Sequence, residues 1–143
     1  MKIEISNVGV DAGIIMICDR DYYKEYNYRE DKKVSKEIKI KNGLYEVNWS
    51  IPNTWNGNIN GNGTLKVTSG LVIVSDPCYC IGDLSDGFNN DGWTRWLDDT
   101  DYGDNNPDGC IVINKMGGDG TYDVHLEIIE LGSITMSKSQ QKG

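Results

Sequence analysis

The sequence predicts an all-β fold, a single compact β-sandwich or barrel made of two duplicated modules related by a pseudo-twofold axis. Three observations lead to this prediction. The 143 residues include 17 glycines, many of them beside Asn or Asp, and this composition is typical of a chain with many tight turns. Short runs rich in Val, Ile and Tyr lie between these turns and are typical of strands. An internal repeat then aligns two sets of such strands.

The repeat consists of two blocks in the same order. VDAGIIMICDRDYY at 10–23 aligns with VTSGLVIVSDPCYC at 67–80, an offset of 57 residues (67 − 10). NGLYEVNWSI at 42–51 aligns with DGTYDVHLEI at 119–128, an offset of 77 (119 − 42). The second copy therefore carries 20 extra residues (77 − 57), which lie within 81–109. Two copies are too few for a solenoid and fit a pseudo-twofold sandwich or barrel.

Each copy is predicted to form two hairpins, preceded by one more strand at 1–6. In the first copy the paired segments are 7–11 with 14–18, and 36–40 with 45–51. In the second copy they are 64–68 with 71–75, and 110–115 with 121–131. The Asn-Gly pair at 42–43 is a strong hairpin signal. The charged segment 22–35 fits either a short helix or a loop.

Hydrophobic patterning separates two kinds of strand. The runs IIMI (14–17) and LVIV (71–74) do not alternate, which predicts strands that are buried on both faces or central in a sandwich. YEVNW and YDVHL alternate and should present one face to the core. WNGNINGNG (55–63) is predicted to be a flexible connector. We therefore expect one domain over 1–136, with modules at about 7–51 and 64–131, a linker at 52–63, and a flexible tail at 137–143.

The charge balance limits the classes of partner. Twenty-two acidic and 14 basic residues give a net charge of −8 (14 − 22). This acidity does not suit binding to a nucleic-acid backbone, whereas it suits solubility, cation binding or a basic protein partner. MKIEISN lacks the apolar core of a signal peptide, and no run approaches the roughly 20 apolar residues of a membrane span. A cytoplasmic location with reduced cysteines is expected.

Asp19 and Asp76 are the first candidate site residues, because each ends a buried strand at equivalent places in the repeat. A pseudo-twofold axis could bring two carboxylates together as an acid/base pair or a metal site. The alternative is that each aspartate caps a turn with its side chain.

The four cysteines allow three interpretations. Cys18, Cys78, Cys80 and Cys110 match the count of a structural zinc site, although their spacing does not match paired C-x₂₋₄-C motifs. Cys78 could be a nucleophile with the single histidine, His125, as its base. Cys18 and Cys110 also fit small buried hydrophobic residues of their strands.

The insertion at 81–109 is the most polar part of the chain and suggests two kinds of site. Asp104, Asn106 and Asp108 match the opening of a calcium loop, but Lys115 stands where its bidentate glutamate belongs. A solvated loop is the alternative. The insertion also carries aromatic residues that can bind a partner or stack on a base. The predicted ligand- or partner-binding residues are Trp93, Arg95, Trp96 and Tyr102, with Asp76 and Tyr79 at the exit of the preceding strand.

The segments SGLVIVSDPCY (69–79), VDAGIIMICD (10–19) and GDGTYDV (118–124) resemble a family of small bacterial and phage proteins of unknown function, and they cover about a third of the chain. The resemblance implies no chemistry for individual residues. It favours a phage or mobile-element origin, and small phage proteins often antagonise host defence by binding an effector protein or sequestering a nucleotide signal. The small size, the acidity, the aromatic insertion and the lack of a complete catalytic set favour a non-enzymatic binding protein. The alternatives are a calcium-dependent ligand binder or hydrolase that uses the Asp-rich insertion, and a structural interaction module.

Overall fold

The computed structural model describes residues 1–23, 34–79 and 109–132. Within these residues, eight strands form two four-stranded antiparallel sheets that pack together as a sandwich and do not close into a barrel. In chain order the elements are β1 (Lys2–Val10), β2 (Ile15–Asp19), helix α1 (Arg20–Tyr23), β3 (Lys36–Lys39), β4 (Gly43–Thr54), β5 (Gly57–Val67), β6 (Leu71–Ser75), a 3₁₀ turn (Pro77–Tyr79), β7 (Cys110–Ile113) and β8 (Gly120–Gly132). No helix in these stretches is long and apolar enough to cross a membrane. The predicted all-β fold is confirmed.

Strand length distinguishes the two sheets. The long sheet has the order β1-β8-β4-β5, with strands of 9 to 13 residues. The short sheet has the order β3-β6-β2-β7, with strands of 4 or 5 residues. Suppose that each strand is replaced by its counterpart in the other module, so that β1 and β5, β2 and β6, β3 and β7, and β4 and β8 change places. Each sheet then has the same strand order in the reverse direction. The two modules are therefore related by a pseudo-twofold axis.

Two residue pairs mark where this axis passes. Ile17 lies opposite Val74 in the short sheet, and the repeat aligns these two residues at the offset of 57. Trp49 lies opposite Leu126 in the long sheet, and the repeat aligns them at the offset of 77. Each sheet is therefore centred on a pair of strands contributed by both modules, and neither module holds a complete sheet of its own.

The core explains the two kinds of hydrophobic pattern. Strands β4 and β8 alternate because one face packs between the sheets and the other is turned outward. All five residues of β2 are buried, since it packs against the core on its inner face and against a second apolar cluster on its outer face. That outer cluster contains Ile14, Met16, Cys18, Ile73, Cys110 and Val112. The prediction of burial on both faces is confirmed for IIMI and for Val72, Ile73 and Val74 of LVIV, whereas Leu71 is half-buried.

None of the four predicted hairpins is a hairpin. β1 and β2 lie in different sheets, and so do β3 and β4, β5 and β6, and β7 and β8. Each turn carries the chain from one sheet to the other. The physical reason is that β2 and β6 pair on both sides with strands distant in sequence, which leaves no place in the sheet for their neighbours along the chain. The turn at Asn42 and Gly43 is one of these crossings.

The hairpin within a sheet is formed by β4 and β5, with Trp55 and Asn56 as its turn. Residues 52–63, predicted to be a linker, form the end of β4, this turn and the first part of β5. Gly61 faces inward beneath the Trp49 ring, because a Cβ atom there would lie 2.8 Å from the Trp49 Cε2 atom. The glycines of this segment thus permit close packing in a strand, where the composition had suggested flexibility.

Two equivalent tyrosines hold two of the crossings. The buried Tyr45 donates a hydrogen bond of 2.6 Å from its hydroxyl group to the Lys41 carbonyl group. The buried Tyr122 donates one of 2.6 Å to the Gly118 carbonyl group. In each module the bond spans four residues across the turn that enters the alternating strand, so the aligned tyrosines perform the same structural task.

We expect Tyr45→Phe and Tyr122→Phe each to lower the free energy of unfolding by about 1 kcal/mol, the net value of a typical hydrogen bond. The double variant should lose about twice as much, because the two crossings do not share a partner. Urea unfolding measures the effect, with the exposed Thr121→Val as control. An unchanged stability in both single variants would contradict a role for these bonds.

Candidate functional site

The exit of β6 holds a fully buried carboxylate, that of Asp76. Its Oδ2 atom accepts hydrogen bonds from the backbone N–H groups of Asp11, at 2.8 Å, and Ala12, at 2.7 Å. Its Oδ1 atom accepts one from the N–H group of Cys78, at 2.9 Å. The charge is compensated by backbone dipoles, and the bonds join the exit of β6 in the second module to the β1–β2 turn of the first.

Asp19, at the end of β2, makes the equivalent contacts from the first module to the second. Its Oδ2 atom accepts hydrogen bonds from the Thr68 N–H group, at 3.2 Å, and the Thr68 hydroxyl group, at 2.7 Å. Its Oδ1 atom accepts bonds from the N–H group of Ser69, at 3.2 Å, and from the Ser69 hydroxyl group. Asp19 is only 3% exposed. The first module thus caps the β5–β6 turn of the second.

The turns suit these carboxylates because of their glycines. Gly13 and Gly70 have φ angles of 75° and 70°, in the left-handed region that favours glycine. In each turn the two residues before the glycine direct their N–H groups toward one carboxylate, an arrangement that binds anions. The segments VDAG and VTSG therefore provide equivalent receptors, and Asp76 and Asp19 are their intramolecular anions.

The hypothesis that Asp19 and Asp76 form an acid/base pair is wrong. β2 and β6 run antiparallel with Asp19 opposite Val72, so the two aspartates lie at opposite ends of the strand pair. Ser75 lies opposite Met16, which is three residues from Asp19, and Asp76 is one residue further on. The two aspartates are therefore about four residues, or roughly 13 Å, apart along the strands. The alternative, turn capping, is confirmed, and each capped turn belongs to the other module.

Tyr79 lies beside the Asp76 cap and packs against β1. Its hydroxyl group donates a hydrogen bond to the Asp11 carboxylate, and this bond, together with burial, raises the pKa of the phenol. A Cβ atom at Gly9 would lie 3.1 Å from the Tyr79 hydroxyl oxygen, so the glycine leaves room for the ring. Tyr79 is partly exposed, which makes it available to a partner, whereas Asp76 lies beneath the surface.

The Cys78 thiol is held in its protonated form. Burial, a hydrogen bond to Asp76 and the negative charges of Asp76 and Asp11 raise its pKa from 9.0 to about 12. His125 lies on the outer face of the long sheet, where its Nδ1 atom is 3.6 Å from the Glu4 carboxylate. The structure therefore does not support Cys78 as a nucleophile with His125 as its base.

Other predicted ligands fall partly outside the described residues. Cys18 and Cys110 are fully buried in strands of the short sheet, as the hydrophobic interpretation predicted. In the three described stretches, no group of three or more His, Cys, Asp or Glu side chains could hold a metal ion. Cys80 lies outside them, and so do the calcium candidates Asp104, Asn106 and Asp108 and the binding candidates Trp93, Arg95, Trp96 and Tyr102. The calcium and insertion-binding hypotheses remain predictions.

The outer face of the long sheet is a polar surface that the sequence interpretation missed. One row across the four strands consists of Lys2, Glu127, Asn48 and Asn62, and the next consists of Glu4, His125, Ser50 and Asn60. A depression of about 290 Å³ lies over the β1, β8 and β4 part of these rows. The signal was the alternation of Asn with Ile or Gly in 57–63, which is typical of a half-exposed strand but was interpreted as a connector.

Comparison with known proteins finds no matching family model, no matching curated protein and no matching solved structure. The function must therefore be argued from the residues of this chain.

We expect Asp19→Asn and Asp76→Asn each to lower the free energy of unfolding by about 2–4 kcal/mol. The substitution removes a charge that several backbone N–H groups bind, and it turns an NH₂ group toward some of these donors. Thermal and urea unfolding measure the loss, with the exposed Asp119→Asn as control. Losses below about 0.5 kcal/mol for both variants would show that the caps contribute little.

We expect Cys78 to react with iodoacetamide at pH 8 roughly 100-fold or more slowly than an unperturbed thiol, because little thiolate is present. The rate is measured by mass spectrometry in a Cys80→Ser chain, and the urea-unfolded chain provides the control. The unfolded state releases this proton near pH 9 and the folded state near pH 12. The associated stability is therefore present below about pH 9 and is lost as the pH rises toward 12. Equal rates in the folded and unfolded chains would contradict the raised pKa.

Proposed function

We propose that the protein is a non-enzymatic binding protein whose partner is another protein, and that β5 binds it by pairing with an extended segment of that partner. The observation that carries the proposal is the edge of β5. An exposed strand edge presents unpaired N–H and C=O groups, and an extended peptide adds to it as a further strand.

The other three edges in the described part of the chain are poor sites for such pairing. β3 and β7 have four residues each, and three of the four residues of β3 are charged. β1 is interrupted by a register shift between Ile5 and Val8, where Asn7 adopts a φ angle of 59°. Short strands, edge charges and bulges are the devices by which proteins prevent edge pairing.

β5 has fewer of these protections, since Lys66 near its end is its one charged residue. It has 11 residues, and its pairing with β4 runs without a register shift from Ile59 to Val67. The segment 57–65, GNINGNGTL, contains neither a charged residue nor a proline. Because β1 and β5 are equivalent in the two modules, the bulge in one and its absence in the other mark a specific difference between related strands.

The side chains of β5 also suit a peptide partner. Asn58, Asn60 and Asn62 are exposed on the outer face, and each amide group can both donate and accept hydrogen bonds. Trp55, in the adjoining turn, is 74% exposed, although its indole N–H group bonds the Asp119 carbonyl group at 3.2 Å. Among the described residues no strand pairs with the outer edge of β5. An exposed tryptophan beside such an edge offers apolar area at which a partner side chain can be buried.

The acidity of the chain selects among partners. A net charge of −8 favours the approach of a neutral or basic segment and disfavours an acidic one. The most specific form of the proposal is the one that the sequence resemblance favours, a cytoplasmic phage or mobile-element protein that blocks a host-defence effector. Sequestration of a nucleotide and calcium-dependent binding depend on the insertion, and no described residue favours either.

The test compares two double variants that add the same charge to the same face. Asn60→Lys with Asn62→Lys places lysines on the β5 edge, and Asn48→Lys with Ser50→Lys places them one strand further in, at the paired positions. Proteins retained from bacterial lysate by the unaltered chain are identified by mass spectrometry, and the affinity of the purified partner is measured by calorimetry. We expect the edge variant to bind at least about tenfold more weakly than the control variant.

Two outcomes would overturn the proposal. Equal affinity of the edge variant and the control variant would place the partner elsewhere on the molecule. Release of a small molecule from the purified protein, with no protein retained, would favour a nucleotide or another small ligand instead.

A further inference from the structure

Two cysteines from different modules face each other across the short sheet. Cys18 on β2 and Cys110 on β7 are direct partners in the antiparallel register. Both side chains belong to the apolar cluster on the outer side of this sheet, and both are fully buried. Neither of them forms a disulfide in this structure.

A neighbouring hydrogen bond shows whether Cys18 and Cys110 form a hydrogen-bonded or a non-hydrogen-bonded pair of the antiparallel ladder. The Asp19 N–H group bonds the Gly109 carbonyl group at 2.8 Å, and these two residues are the next pair along the ladder. Hydrogen-bonded and non-hydrogen-bonded pairs alternate in antiparallel sheets, so Cys18 and Cys110 form a non-hydrogen-bonded pair. The Cα atoms of such a pair are about 4.5 Å apart, with the side chains close together.

This spacing lies at the short end of the range that a disulfide can bridge, about 4.4–6.8 Å between Cα atoms. We propose that Cys18 and Cys110 are a redox site, in which oxidation closes a cross-strand disulfide between the two modules. Neither the binding role of β5 nor the capping of the crossing turns depends on these thiols.

The chemistry requires a disulfide oxidant such as oxidised glutathione. One cysteine thiolate attacks the oxidant, forms a mixed disulfide and releases one glutathione thiolate. The second cysteine thiolate then attacks the mixed disulfide, which forms the Cys18–Cys110 bond and releases the second glutathione thiolate. The pair loses two protons and two electrons in total, and the oxidant becomes two reduced glutathione molecules.

Access to the thiols requires local opening, because neither side chain is exposed. β7 is an edge strand of four residues, and Cys110 is its first residue, so fraying of this strand exposes the pair without unfolding of the sandwich. The rate of oxidation should therefore follow the opening of β7. Once closed, the disulfide is shielded by the cluster that buries it.

The bond would tie the end of the acidic insertion to a central strand, since Cys110 directly follows 81–109. It would also close a loop of 93 residues (110 − 18 + 1) that includes most of both modules. A loop of this length strongly restricts the unfolded chain, so the oxidised protein should melt at a temperature higher by on the order of 10 °C.

The test uses the full chain with Cys78→Ser and Cys80→Ser, so that only this pair remains. The folded protein is incubated with oxidised glutathione, and the intact mass, the linked peptides and the melting temperature are measured. We expect a mass lower by two hydrogen atoms, a peptide that links Cys18 to Cys110, a higher melting temperature, and reversal by dithiothreitol. A third substitution, Cys110→Ser, is the control and should show no intramolecular link.

Two results would overturn the inference. The first applies at a urea concentration at which circular dichroism shows the fold intact and hydrogen exchange shows β7 open. If the chain then keeps both thiols, or gains only glutathione adducts, the inference is wrong. The other is a disulfide that forms but lowers the melting temperature, because the pair would then not fit the bond without distortion.

Discussion

The exchange of carboxylates between the two modules is the interaction on which the sandwich depends. Asp76 binds the backbone of the β1–β2 turn, and Asp19 binds that of the β5–β6 turn. Both aspartates are buried, and a buried charge is tolerated only where donors compensate it. Each turn therefore receives its anion only when the other module is in place, and the requirement is mutual.

The strand order follows from the same exchange. A crossing turn that is held against the opposite module places β2 beside β6 and sends β1 and β5 into the other sheet. The central pairs, Ile17 with Val74 and Trp49 with Leu126, then lie on the pseudo-twofold axis. Isolated modules would leave β2 and β6 without their central partners and would expose two apolar faces. The duplication is thus a single cooperative unit, in which most stabilising contacts have a long separation in sequence.

The sequence alone predicted the features that depend on amino-acid composition and on the periodicity of hydrophobic residues. It predicted an all-β sandwich or barrel, the strands buried on both faces and the capping alternative for Asp19 and Asp76. It did not distinguish hairpins from crossings, because the same Gly and Asn residues serve both and only the distant partner strand decides between them. It also mistook the first part of β5, residues 57–63, for a connector, because the contact that requires a small residue at Gly61 comes from Trp49, twelve positions away (61 − 49). The candidate residues within 80–108 lie outside the described residues, so their predicted roles are still predictions.

Function is best sought where the two modules differ, since whatever they share is needed to build the sandwich. The aspartate caps, the equivalent tyrosines Tyr45 and Tyr122, and the central strand pairs each occur twice, and they stabilise the fold. The edge strands do not match, because β1 is bulged at Asn7 whereas β5 continues straight through its glycines and asparagines. A bulge costs ladder hydrogen bonds, and its usual benefit is protection of the edge. β5 is long, has no register shift between Ile59 and Val67 and carries one charged residue, Lys66, whereas β1 is bulged. This asymmetry between two equivalent edges supports the proposal that a partner pairs with β5.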